Sequence, residues 1–140
     1  MQKYISNTTK FTYSSDAIAE LPGSNLTVSR ANAATMGDNT KIWEAGGRDY
    51  GQSRTDFEKA TFSVGTWAAL PGAQLNYAGP GSTGLRCTQA GGNKTTGYMC
   101  GGGMYSPPNY SRSHNLPYSC DTVDLISANL NMCTRYWLCA

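Results

Sequence analysis

The sequence predicts an all-β chain assembled from repeated, four-stranded antiparallel units, and three observations carry that prediction. The segment Thr12 to Leu26 returns without a gap at Thr61 to Leu75, 49 residues later, identical at seven of fifteen positions. A looser third copy starts at Tyr118-Ser119-Cys120-Asp121-Thr122-Val123 and reaches Leu130. The pairs Gly46-Gly47 and Gly101-Gly102 mark the same repetition at a spacing of 55 residues. A period near fifty, with short strand-like runs and abundant glycine, describes stacked β units rather than one continuous core. Helical signals are missing: no window keeps apolar residues at i, i+3, i+4 and i+7, and Gly or Pro interrupts each one.

Taken in order, residues 1–29 read as two strands around Phe11-Thr12-Tyr13 and Ala17-Ile18-Ala19. Arg30–Met36 follows, a small-residue run suited to close packing. Gly37-Asp38-Asn39 is a hairpin turn, because Gly and Asn accept positive φ readily. Lys41–Ala45 is a strand ending at Gly46-Gly47. An irregular loop then leads to strands Phe57–Phe62 and Thr66–Leu70. The next unit repeats the scheme as Leu85–Ala90, the turn Gly91–Lys94, the strand Gly97–Cys100 and Gly101-Gly102. Its second loop leads to strands around Leu116–Ser119 and Thr122–Ile126. The insert Tyr77–Thr83, with its glycines and proline, accounts for most of the longer second period. The boundaries are therefore 1–29, 30–75, 76–130 and 131–140, the last reading as a single strand at Arg135–Cys139.

Composition narrows the function classes. Charged residues make up 14% of the 140, against about 25% in an average globular domain. Ser, Thr, Asn, Gly and Tyr fill the surface instead, as expected outside a cytosol or within a large assembly. The net charge of +2 comes from basic residues scattered along the chain, so there is no clustered Lys/Arg footprint for nucleic acid. No apolar stretch reaches the length of a bilayer span. Met1–Thr9 lacks the apolar core of a signal peptide. The expectation is a chain that stays where it is made, is processed, or is packaged into a particle.

The pattern strand, Gly-Gly, strand, then Tyr/Phe-Ser, Trp-x-x-Leu-Pro and Arg resembles the kelch repeat of β-propellers. The residues carrying the likeness are Arg30, Gly46-Gly47, Phe62, Trp67-Ala68-Ala69-Leu70-Pro71, Arg86, Gly101-Gly102, Tyr118 and Arg135. The wording of the repeats is also similar to kelch-like units of bacteriophage and cyanophage tail or virion proteins. Ile18 and Val123 stand where the second copy has Trp67. The resemblance implies four-stranded blades, about 2.75 of them here, whereas a closed ring takes about four to eight. Another chain or a longer polypeptide would complete the ring. The runs Ala31–Met36, Leu85–Gln89 and Arg135–Cys139 would then supply its packed centre.

Few residues invite catalytic chemistry. The glycine pairs are followed by neither Lys-Ser/Thr nor a helix, so they are structural bends rather than phosphate loops. His114, the one histidine, falls in the loop before Leu116 and reads as solvated, with no nucleophile elbow anywhere. The carboxylates are dispersed, and Asp16 and Asp38 suit turn roles. No cofactor and no metal site is expected: the five cysteines show no Cys-x-x-Cys spacing, and one histidine does not complete a zinc set. Cys87 and Cys100 flank the turn Gly91–Lys94 almost symmetrically. They either bridge across a hairpin or sit as small apolar side chains.

Recognition is expected in the two loops after the glycine pairs, through Arg48, Tyr50, Arg54, Tyr105, Tyr110 and Arg112, since exposed Tyr with Arg serves protein and sugar binding. The alternative is that these rings pack the loops onto their own sheet. Asn7, Asn25, Asn93 and Asn109 match the N-glycosylation pattern, which matters only in a eukaryotic secretory route. Together these readings predict a non-enzymatic structural and interaction protein of a virion or phage tail, meeting copies of itself, other subunits, or a surface glycan or receptor. The alternatives are a subunit of a secreted or cell-surface filament and, requiring convergent carboxylates, a glycan-active enzyme.

Overall fold

The computed structural model describes residues 6–50, 52–75, 89–102 and 112–127. These form an all-β molecule of antiparallel sheets. The elements are β1 (Thr9–Thr12), β2 (Ala17–Glu20), β3 (Ala34–Gly37), β4 (Lys41–Ala45), β5 (Arg48–Asp49), β6 (Gln52–Ser53), β7 (Asp56–Thr61), β8 (Thr66–Gln74), β9 (Gln89–Gly92), β10 (Thr96–Cys100), β11 (Ser113–Pro117) and β12 (Asp124–Ile126). Strands β3-β4-β7-β8 make a first sheet and β9-β10-β11-β12 a second, each a meander in chain order. Strands β1 and β2 form a separate hairpin, and β5–β6 a short ribbon. The hairpin lies within residues 1–29, the first sheet within 30–75 and the second within 76–130. No closed ring is formed by the described residues.

The two β3–β4 and β9–β10 hairpins close by the same chemistry. Asp38 Oδ1 accepts from the Thr40 and Lys41 amides and the Thr40 hydroxyl, at 2.6, 2.8 and 2.8 Å. Asn93 Oδ1 does the same for the Thr95 and Thr96 amides and the Thr95 hydroxyl, at 2.8, 2.9 and 2.9 Å. A side chain at Gly37 or Gly92, just before the turn, would press to 2.7 Å from the carbonyl oxygen of Lys41 or Thr96. A third turn recurs between the last two strands of each unit. Its fourth residue has positive φ in all three copies: Asp16 (48°), Gly65 (72°) and Asp121 (54°). Asp is among the few non-glycine residues that tolerate this region.

Sheet register decides what is buried. In the first sheet, Met36 faces Trp43, Trp43 faces Lys59, and Ala45 faces Phe57. Ala34, Met36, Trp43, Ala45 and Phe57 turn to one side and join Met99, Leu116 and Tyr118 of the second sheet in a common core. Strand β3 packs directly on β9 and β10. Gly97 lies under Met36; a Cβ there would come within 2.8 Å of the Met36 Cγ. Burying each large apolar side chain contributes roughly 1.5–3 kcal/mol, so this seam between the sheets is the main hydrophobic contact.

Five local expectations need correction. The loop after Gly47 is not irregular throughout, since it holds the β5–β6 ribbon. Residues 31–33 do not join β3; Ala31 instead bridges Arg48 through paired hydrogen bonds of 2.9 Å. Strand β8 runs beyond Leu70 to Gln74, with an irregularity that admits Pro71-Gly72-Ala73 on a sheet edge where proline's missing N–H is tolerated. Strand β11 begins at Ser113 rather than near Leu116, because Cys100 pairs with Ser113 immediately after the second glycine pair. His114 is therefore not a solvated loop residue: it is 1% exposed within β11, opposite Met99.

Candidate functional site: an inter-sheet clasp and two open faces

The densest polar chemistry lies around Arg30, which is buried with its side chain fully enclosed. Its guanidinium donates to the Gly46 carbonyl at 2.9 Å, to Asp56 Oδ2 at 2.9 Å, and to Glu58 Oε1. Glu58, fully buried in β7, also accepts from the Thr27 amide at 2.6 Å. This network pins residues 27–30 across the first sheet. Burial alone would raise the Asp56 carboxyl; the Arg54 hydrogen bond and the Arg30 charge bring it below the usual carboxylate range. Glu44, on the neighbouring strand, is raised by burial, only partly opposed by Arg30. Arginine at this point of the repeat belonged to the kelch-like pattern, but its carboxylate partners carried no sequence signal.

The glycine pairs serve backbone geometry. Gly46 and Gly47 have φ of 63° and 85°, and Gly101 and Gly102 of 66° and 102°. All four are buried. The Gly46 amide donates to Asp56 and the Gly101 amide to Arg112, each at 3.0 Å, so both pairs turn the chain in the same way. An added Cβ at Gly47 would lie 2.9 Å from the Ala31 oxygen.

The expected recognition residues separate. Arg54 is engaged within the protein, donating to Asp49 Oδ2 at 2.7 Å and forming a two-pronged pair with Asp56 at 2.7 and 3.1 Å. Its hydrogen bond to Asp56 is the leading cause that raises its own pKa. Arg48 is half-buried at the base of the β5–β6 ribbon, and Tyr50 at the tip is 83% exposed with φ of 34°. Arg112 is half-buried beside Gly101. Tyr105, Tyr110 and Asn109 lie outside the described residues. Cys100 is a half-buried free thiol opposite Gln89, and Cys87 also lies outside the described residues. Asn7 and Asn25 are exposed, while the Asn93 side chain is held in its turn. Among the described residues no three His, Cys, Asp or Glu side chains gather as a metal set, and no helix is long and apolar enough to cross a membrane.

Sequence reasoning missed the clasp between the sheets. The Trp43 ring stacks on Tyr118 at 4.3 Å between centroids and 9° between planes. Asp121, in the turn after Tyr118, accepts from Trp43 Nε1 at 2.8 Å and from Lys59 Nζ. Burial would raise Asp121; the Lys59 and Trp43 hydrogen bonds bring it below its ordinary value. Only the recurrence of Asp at the same turn position, at Asp16 and Asp121, could have pointed to it.

Outside the clasp the apolar surface is uneven. The hairpin is almost wholly exposed, with Phe11 at 44%, Tyr13 at 88% and Ile18 at 71%. Phe11 and Tyr13 meet edge to face at 5.0 Å. Trp67 Nε1 donates to the Thr8 hydroxyl at 2.8 Å and ties this hairpin to the first sheet. A cavity of about 450 Å³ opens between them, lined by Lys10, Phe11, Tyr13, Ile42, Phe62 and Trp67. Tyr98 stands 42% exposed on the second sheet. No protein-family model matches the chain, and no curated protein matches it.

Proposed function

We propose that this chain is a non-enzymatic structural and interaction protein, a kelch-like blade array that serves as one component of a virion or phage tail. The observation that carries the reading is the coexistence of a closed seam between two stacked sheets with apolar residues left exposed on the hairpin and the second sheet. Contiguous exposed apolar residues, such as Phe11, Tyr13 and Ile18, favour a partner surface more than a single exposed ring does. The polar groups with chemical potential support the same reading, because Arg30, Glu58, Arg54 and Asp121 hold backbone and sheets together. Tyr50, carried on the β5–β6 ribbon, is the aromatic best placed to meet a glycan or receptor.

The test is the native, non-denaturing mass of the protein taken from its source. A large particle containing the chain is the expected result. A free 15.0 kDa monomer in that material overturns the assembly reading.

A further inference from the structure

The clasp has a second set of matching halves, and among the described residues both of them are open. Gly37 pairs with Ile42 in the first sheet as Gly92 pairs with Gly97 in the second, which makes Tyr98 the counterpart of Trp43. Trp43 pairs with Lys59 and Tyr98 with Asn115, so Asn115 is the counterpart of Lys59. Trp43 is 0% exposed beneath Tyr118, whereas Tyr98 is 42% exposed. The Asn115 Oδ1, an acceptor, is enclosed and without a hydrogen-bond partner.

The other half lies on the hairpin. Its turn repeats the turn of Tyr118, with Asp16 at φ 48° where Asp121 has 54°. Tyr13 thus corresponds to Tyr118, Phe11 to Leu116, and Ile18, which faces Phe11, to Val123. Leu116 and Tyr118 are buried against the first sheet, with Val123 packed beside them. Their counterparts Phe11, Tyr13 and Ile18 are the exposed apolar residues of the hairpin. Phe11 and Tyr13 border the cavity against the first sheet, and with Ile18 they keep 44%, 88% and 71% of their surface exposed.

We propose that the β1–β2 hairpin of one copy of this chain docks on the Tyr98 face of the second sheet of another. Tyr13 stacks on Tyr98 and the Asn115 amide donates to Asp16, repeating between copies the contact of Tyr118 and Asp121 with Trp43 and Lys59. The occupant is a second copy because this one chain carries both complementary halves, and its own first sheet stands between them. The contact is head-to-tail, so it propagates into a ring or a filament according to the rotation at each step. Apolar stacking with a single polar pin is the chemistry expected of such a repeated seam.

This inference rests on the reading of the chain as an assembling array. Its test is sedimentation of the full chain over a concentration series, alone and with the exposed-site variants Tyr13→Arg and Tyr98→Arg. The expected result is concentration-dependent association of the natural chain and a monomer for each variant alone. An equimolar mixture of the two variants should give a discrete dimer, since each keeps the surface the other lacks. Asn115→Lys should tighten association roughly two- to fivefold at low salt, the scale of an exposed ion pair. A natural chain that stays monomeric, association that survives both substitutions, or a mixture that remains monomeric overturns the proposal. Near-ultraviolet circular dichroism, reporting the Trp43–Tyr118 stack, shows whether each variant is folded. If the chain does not self-associate but still sediments in a native particle, this contact falls and the assembly reading stands. A chain that is free in its native material overturns the assembly reading instead.

Discussion

Arg30 and Glu58 show how much of this small domain depends on charges taken out of water. A buried ion pair compensates its own desolvation only when its remaining hydrogen bonds are made. Here the Gly46 carbonyl and the Thr27 amide make two of them, while the buried Arg30 Nε has no partner. Replacing Glu58 with Gln leaves the Arg30 charge facing weaker acceptors, and should lower unfolding free energy by about 3–5 kcal/mol in urea titration. The double change Arg30→Met with Glu58→Met should cost less than the single one. The acid response follows from the carboxylates. Asp56 and Asp121 are both held below their ordinary range in the folded state. Their stabilisation is therefore present above the unfolded carboxylate pKa of about 4 and is lost as pH falls through the lower folded values. Glu44, raised by burial, has the opposite sign and is relieved by protonation. The expected net result is a melting temperature that falls on acidification below about pH 4, with a smaller fall in Asp121→Asn.

At the level of elements, the hairpins rest on turn chemistry that is local and repeated. Asp38 and Asn93 satisfy the same three donors, so Asp38→Asn should be nearly neutral. Asp38→Ala removes the acceptor and should cost about 1 kcal/mol by thermal or denaturant unfolding. Gly47→Ala combines a positive φ with a 2.9 Å approach to a backbone oxygen, and should cost roughly 1–3 kcal/mol. The turns were legible in advance, because each depends on residues within a few positions of one another, whereas the approach of Gly47 to Ala31 was not. The loop contributions were legible only in part. Tyr50 is exposed, whereas Arg54 is drawn inward by Asp49 and Asp56, a pairing set by the bend of the β5–β6 ribbon.

For the whole molecule, the decisive contact is the seam between the sheets. Trp43→Ala would remove the stack on Tyr118 and the hydrogen bond to Asp121, and should cost about 3–5 kcal/mol. Loss of the near-ultraviolet signal together with a lowered urea midpoint would be the expected outcome; an unchanged midpoint would show that the sheets do not depend on one another through this ring. The sequence by itself determined the all-β class, the repeat, the Asp38 and Asn93 turns and the glycine bends, since these follow from nearest-neighbour dihedrals and side-chain-to-backbone bonds. Only the tertiary structure decided that Trp43 meets Tyr118, that Glu58 meets Arg30, and that His114 is enclosed. Each of these depends on which face a strand turns to its neighbour, and a register slip of one residue would reverse that face along the entire strand.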